Sequence, residues 1–138
     1  MKKHLSILSI FLLICVFVDA QYQTGVKVEK LLQTDTTVIG QKIVYPHFPN
    51  DEITICKVTI PSGQQTGWHK HEIPVFAYVL QGTLTVEVEN GKTYTYIANS
   101  TISEVFDTFH NGYNIGTENV VLIAFYLGGK DVPLSVKK

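Results

Sequence analysis

Short runs of alternating apolar and polar residues, separated by turn residues, dominate the chain from about residue 50 onward. From Glu52 to Ile60 the set Thr54, Cys56, Val58, Ile60 opposes Ile53, Ile55, Lys57, Thr59, and Pro61 ends the run. Such a β-branched alternation predicts a strand. Pro61 to Gly67 reads as a loop, and Pro74 to Gln81 as a buried strand. Thr83 to Glu89 places Leu84, Val86 and Val88 on one face and Thr85, Glu87 and Glu89 on the other. Asn90-Gly91 then signals a tight hairpin, answered by a return strand from Thr93 to Ile97. Asn99-Ser100 marks a turn, Ile102 to Phe106 a short strand, and Asn111-Gly112 with Asn114 a further turn. Val120 to Leu127 is a continuous apolar run, read as a core strand, and Gly128 onward reads as a tail. No segment after residue 20 keeps a helical period for three turns. Many short strands with closely spaced turns predict an all-β sandwich or barrel.

The N-terminal part is different. Met1 to His4 carries two lysines, and Leu5 to Val18 is apolar except for Ser6 and Ser9. Val18-Asp19-Ala20 ends on a small residue. This pattern predicts a signal peptide over 1–20, cut after Ala20, and therefore a periplasmic or secreted protein with no membrane association after cleavage. The apolar run of about 14 residues falls short of the roughly 20 that a spanning helix needs. Residues 21–50 read as N-terminal strands and a loop: a loose polar start, one or two short strands between Lys30 and Ile43, and the proline-flanked loop around His47. A domain over 51–130 and a tail over 131–138 complete the division, and a chain of 138 residues suits one domain.

Charge and cysteine content narrow the function classes. Past residue 20 there are nine lysines, eleven acids and no arginine, a net charge of about minus two. Nucleic-acid binding needs a basic face, and none is visible. The absence of arginine also removes the usual bidentate clamp for phosphate or carboxylate. Only Cys56 remains after cleavage, so no intrachain disulfide can form, and its place in a β-branched run reads as buried packing.

His69 and His71 are the candidate chemistry. Two apart on an extended segment, they share a face, with Cα atoms roughly 6.6 Å apart. Both rings then reach one ion at about 2.0–2.1 Å. His110, in Phe-His-Asn-Gly-Tyr-Asn, is the third candidate ligand, while His47 reads as an exposed or packed ring. Glu104 has two readings: a carboxylate that binds the metal or moves a proton, or a solvent-facing strand residue. Glu72, Trp68 and Lys70 face away from the histidines if the strand is regular. Tyr78, Tyr94 and Tyr96 read as packing residues.

These residues resemble a cupin. The first cupin motif is Gly, five residues, His-x-His, three or four residues, Glu, six residues, Gly. Here Gly63, His69, His71 and Gly82 hold that spacing, and Val75 occupies the Glu slot. The second motif is Gly, five residues, Pro-x-Gly, two residues, His, three residues, Asn. Here Asn99, Val105 and Asp107 stand for Gly, Pro and Gly, while His110 and Asn114 match. The resemblance spans about residues 52 to 127 and implies a jelly-roll, or double-stranded β-helix, barrel. It implies His69, His71 and His110 around a divalent ion (Fe, Mn, Zn or Ni), with the usual glutamate missing. Three neutral ligands leave the ion at full charge with open positions, which suits a small anionic or phenolic ligand. The resemblance implies either a metal-dependent dioxygenase or a non-catalytic binding or sensory module, and one superfold hosts both. Pairing of two copies through Val28 to Ile43 is a further expectation.

Overall fold

A computed structural model describes residues 24–138; the expected signal peptide lies outside the described residues. The strands are β1 (Asp51–Ile60), β2 (His69–Lys70), β3 (Val75–Gln81), β4 (Thr83–Val88), β5 (Thr93–Ile97), β6 (Thr101–Ser103), β7 (His110–Tyr113), β8 (Val120–Gly129) and β9 (Val136–Lys137). They form two antiparallel sheets, one in the order β1-β8-β3-β6 and the other β5-β4-β7-β2-β9. The two sheets face each other in a jelly roll, as the pattern and the resemblance predict. Among the described residues, no helix is long and apolar enough to cross a membrane.

The core lies between the sheets because strand side chains alternate. Ala77 and Val79 of β3, Leu122 and Ala124 of β8 and Ile102 of β6 meet Leu84 and Val86 of β4. Val79, Val88 and Val120 are fully buried, each side chain contributing about 1.5–3 kcal/mol. The hairpin at Asn90-Gly91 forms as expected: Gly91 takes φ 82° and its N–H donates to the Val88 carbonyl at 2.8 Å.

Gly82 links β3 to β4 at φ 78°, and a Cβ there would lie 2.7 Å from the Asn119 carbonyl oxygen. Only glycine tolerates both the dihedral and the approach. Two positions where the cupin motif has glycine carry other residues and keep the left-handed backbone: Asn99 at φ 70° and Asp107 at φ 43°. Asn and Asp are the side chains that pay least for that conformation.

Three expectations change. Asn111-Gly112 is not a turn but part of β7. The Asn111 amide donates to Gln65, and the Gly112 N–H donates to the Thr66 hydroxyl, so tertiary partners replace the local turn. Between Lys30 and Ile43 the chain makes a single bridge, Thr36 with Lys42, rather than strands. Its Gln41 side chain instead pairs with the Phe106 backbone, donating to the carbonyl at 2.7 Å and accepting from the N–H at 2.9 Å. Beyond Gly129 the chain turns back as β9 to pair with β2, matching His69 with Lys137 and Lys70 with Val136. That strand is too short to show a period in sequence.

Candidate metal centre

The first motif becomes a loop and a short strand zipped onto the second. The Gly63 N–H donates to the Asn114 carbonyl, the Asn114 N–H to the Gln64 carbonyl, and the Thr66 N–H to the Gly112 carbonyl. This sets β2 beside β7 with His69 directly opposite His110. His71 follows two residues later on the same side. The Asn114 side chain fixes the far end of β7 by donating to the carbonyls of Ile60 and Glu118.

The three imidazoles converge. Their ring centroids lie 4.4 to 5.1 Å apart, and one nitrogen from each falls within 4.8 Å of the others. In every ring Nδ1 faces a backbone carbonyl: Gly67 for His69 at 2.8 Å, Leu134 for His71 at 2.7 Å, and Thr108 for His110 at 3.0 Å. A carbonyl only accepts, so each Nδ1 carries the proton and each Nε2 presents its lone pair. Burial pushes all three imidazoles below their ordinary pKa, His71 to about 4, so they are neutral at pH 7. His110 is 1 % exposed, and among the described residues its Nε2 has no hydrogen-bond partner. A buried nitrogen without a partner is costly, and an ion among the three Nε2 atoms would supply one. The residues present therefore fit a divalent metal ion. His47 is exposed and stands outside this cluster.

The opposite wall comes from the other sheet. Register pairs Val75 with Tyr126, and Phe76 with Ser103, so the next pair outward sets Glu104 opposite Val75. The Glu104 N–H donates to the Val75 carbonyl at 3.0 Å. Tyr126, Val75 and Glu104 thus form one row on the inner face, across from the histidines. Val75 is 4 % exposed and lines the cavity with the three rings, so the slot where cupins place glutamate does face the site. The Glu104 side chain is 11 % exposed, and its Oε2 lies 3.6 Å from His110 Nε2. Of its two readings, the solvent-facing one fails. Burial lifts its carboxyl to about 7, with the nearby His69 pulling the other way.

Tyr126 was not legible as a site residue, because it sits inside an apolar run. Its ring meets the His71 ring edge-on at 5.6 Å, and burial raises its phenol above the ordinary value, so it is protonated at pH 7. Leu134 was equally hidden, since it acts through its carbonyl. Lys70 faces outward to Glu72 and Asp107, and Trp68 lies under the Lys138 ammonium at 5.5 Å. Tyr78 donates to Asn99, and Tyr96 packs on the core. Cys56 is a half-buried free thiol opposite Ala124.

The cavity between the two walls has a volume of about 60 Å³. Besides the three histidines and Glu104 it is lined by Thr66, Tyr126 and aliphatic side chains such as Val58, Leu84 and Leu122. Among the described residues no lysine lines it, and the chain has no arginine.

The sequence profile of the Cupin domain family matches residues 56–126. The chain belongs to the cupin family. No curated protein matches it. Among solved structures it is similar to an oxalate decarboxylase of Lactobacillus farciminis in complex with formate, at 21 % identity and a TM-score of 0.54, over 62 % of this chain and 26 % of that one. A variant of the Bacillus subtilis oxalate decarboxylase gives 24 % identity and a TM-score of 0.54, over 62 % and 23 %. A DMSP lyase of Ruegeria pomeroyi gives 13 % identity and a TM-score of 0.55, over 62 % and 43 %. The match takes in less than half of each of these proteins, and at such identities the likeness is one of fold.

Proposed function

We propose that this cupin is an exported metalloprotein in which His69, His71 and His110 hold one divalent ion, and that it acts as an oxygenase on a small anionic compound. The observation that carries the metal reading is the set of three Nε2 lone pairs, each fixed by a carbonyl behind Nδ1, with that of His110 unpartnered among the described residues. When bound, a redox-active ion such as iron would bring dioxygen and an anionic ligand together; zinc or manganese would act as a Lewis acid. The protein's part is to leave coordination positions open, to exclude bulk water with an aliphatic wall, and to place the Glu104 carboxyl beside the histidines.

Cavity size sharpens the expected ligand. The room beside the three rings is small, about 60 Å³, and largely aliphatic. That suits a ligand whose metal-binding end is small and which projects little bulk toward the aliphatic wall.

Oxygen uptake by iron-loaded protein, measured against a panel of short carboxylates, thiols, diketones and catechols, tests the reading. Uptake with a small anion supports an oxygenase. A ligand-induced rise in melting temperature without turnover favours the binding or sensory module instead. N-terminal sequencing of the exported product should begin at Gln21; a retained Met1 in a membrane fraction contradicts export.

A further inference from the structure

We infer that Glu104 is a fourth metal ligand: the carboxylate missing from position 75 has been relocated one strand across the same wall. The inference rests on the metal reading above and adds to it the ligand set.

Three observations carry it. First, Val75 and Glu104 are cross-strand neighbours on one face, on β3 and just past β6, and both line the cavity holding the histidines. A side chain from either position enters the same space. Cross-strand neighbours have Cβ atoms about 4.5–5.5 Å apart, within the reach of a glutamate side chain.

Second, Glu104 is largely buried, yet among the described residues its carboxylate accepts no hydrogen bond from the protein; its near neighbour is His110 Nε2 at 3.6 Å. A buried carboxylate needs a partner, whether a proton, a donor or a cation. Aliphatic side chains supply none of these.

Third, 3.6 Å is too long for a hydrogen bond. It is close to the spacing of two ligands on one ion: bonds of about 2.1 Å at a tetrahedral angle put the ligand atoms roughly 3.4 Å apart. His110 Nε2 and Glu104 Oε2, each without a protein partner among the described residues, are so placed that one cation could satisfy both.

The wall therefore keeps the ligand set of three imidazoles and one carboxylate while changing the strand that delivers the carboxylate. Val75 then packs beside the ion, leaving the position it would have filled to an aliphatic surface.

The test compares parent, Glu104→Gln, Glu104→Val and the exchange variant Glu104→Val/Val75→Glu. Affinity for Co²⁺ and Mn²⁺ is measured by chelator competition, and the visible spectrum of the cobalt form is recorded. Glu104→Gln should bind metal at least about 10-fold more weakly, because even supporting groups around a metal matter that much, and its cobalt spectrum should change. The exchange variant should regain most of the affinity that Glu104→Val loses. Without metal, Glu104→Gln should melt at or above the parent temperature, which shows that the variant folds. Parent-like affinity and spectrum in Glu104→Gln would overturn the inference while leaving the three-histidine site standing. An exchange variant no tighter than Glu104→Val would also overturn it. A parent that binds neither metal would overturn the metal reading together with the inference.

Discussion

Residues 63–82 and residues 99–114 depart from the cupin pattern in opposite ways. The first stretch keeps both glycines and both histidines and changes one side chain, Val75, which faces the site. The second changes three of its five marked positions, yet Asn99 and Asp107 keep the left-handed backbone that glycine would supply, and His110 stays opposite His69. One region preserves its shape and loses a ligand. The other alters its backbone residues, preserves its shape, and carries Glu104 into the cavity. The number of departures from a motif is thus a poor measure of what has changed. A substitution at a positive-φ turn is a question of strain, whereas one on the inner face of a strand is a question of chemistry.

The largest effects should fall on the imidazoles. His69→Ala, His71→Ala and His110→Ala should each weaken metal binding by more than about 100-fold in chelator competition, since groups that merely support ligands are worth 10–100-fold. His47→Ala should leave affinity unchanged. Equal affinities in all four would remove the distinction between the motif histidines and the rest.

Val75→Glu on its own sharpens the comparison next. It places a second carboxylate beside Glu104 in an aliphatic wall. Metal-free protein should lose several kcal/mol, the usual penalty for an uncompensated buried charge, and bound metal should recover much of it. Melting curves with and without metal measure both. A loss that is the same in both states would mean that position 75 does not meet the ion.

Removal of residues 132–138 comes third. It takes away the Leu134 carbonyl behind His71 and the β9 strand beside His69. Metal affinity should fall about 10- to 100-fold, the range for lost supporting partners, with the main fold retained in circular dichroism. Unchanged affinity would make the segment mere edge cover.

The smallest effects should come from the backbone positions of the second motif. Asn99→Gly and Asp107→Gly should each alter stability by less than about 1 kcal/mol, because glycine is at ease where these residues already sit. Gly82→Ala should cost more, with strain of order 1–3 kcal/mol and a Cβ 2.7 Å from a carbonyl oxygen. Denaturant melts of the three variants give the order directly.

Much of this was legible in sequence. The strand faces of β1, β4 and β8 follow from period-two alternation or apolar runs, and His69 with His71 declares itself by spacing. What stayed hidden depended on contacts between distant residues. The Asn111-Gly112 dipeptide is a strong local turn signal, overridden by Gln65 and Thr66 from the facing loop. The two readings of Glu104 could be separated only by the register that sets it opposite Val75. Tyr126 looked like packing because its neighbours are aliphatic, and its place against His71 comes from the pairing of β8 with β3. Leu134 contributes a carbonyl, which no sequence pattern marks.

The central claim is that three imidazoles, through their Nε2 atoms, hold one ion between the two sheets. Pulsed electron paramagnetic resonance on protein made without a histidine tag and loaded with one equivalent of Cu²⁺ tests it most directly, because the remote Nδ1 of each bound ring gives a resolved modulation. The account predicts modulation from imidazole nitrogens in the parent, reduced in His110→Ala. Absence of imidazole modulation in the parent, or an unchanged signal in His110→Ala, would contradict it.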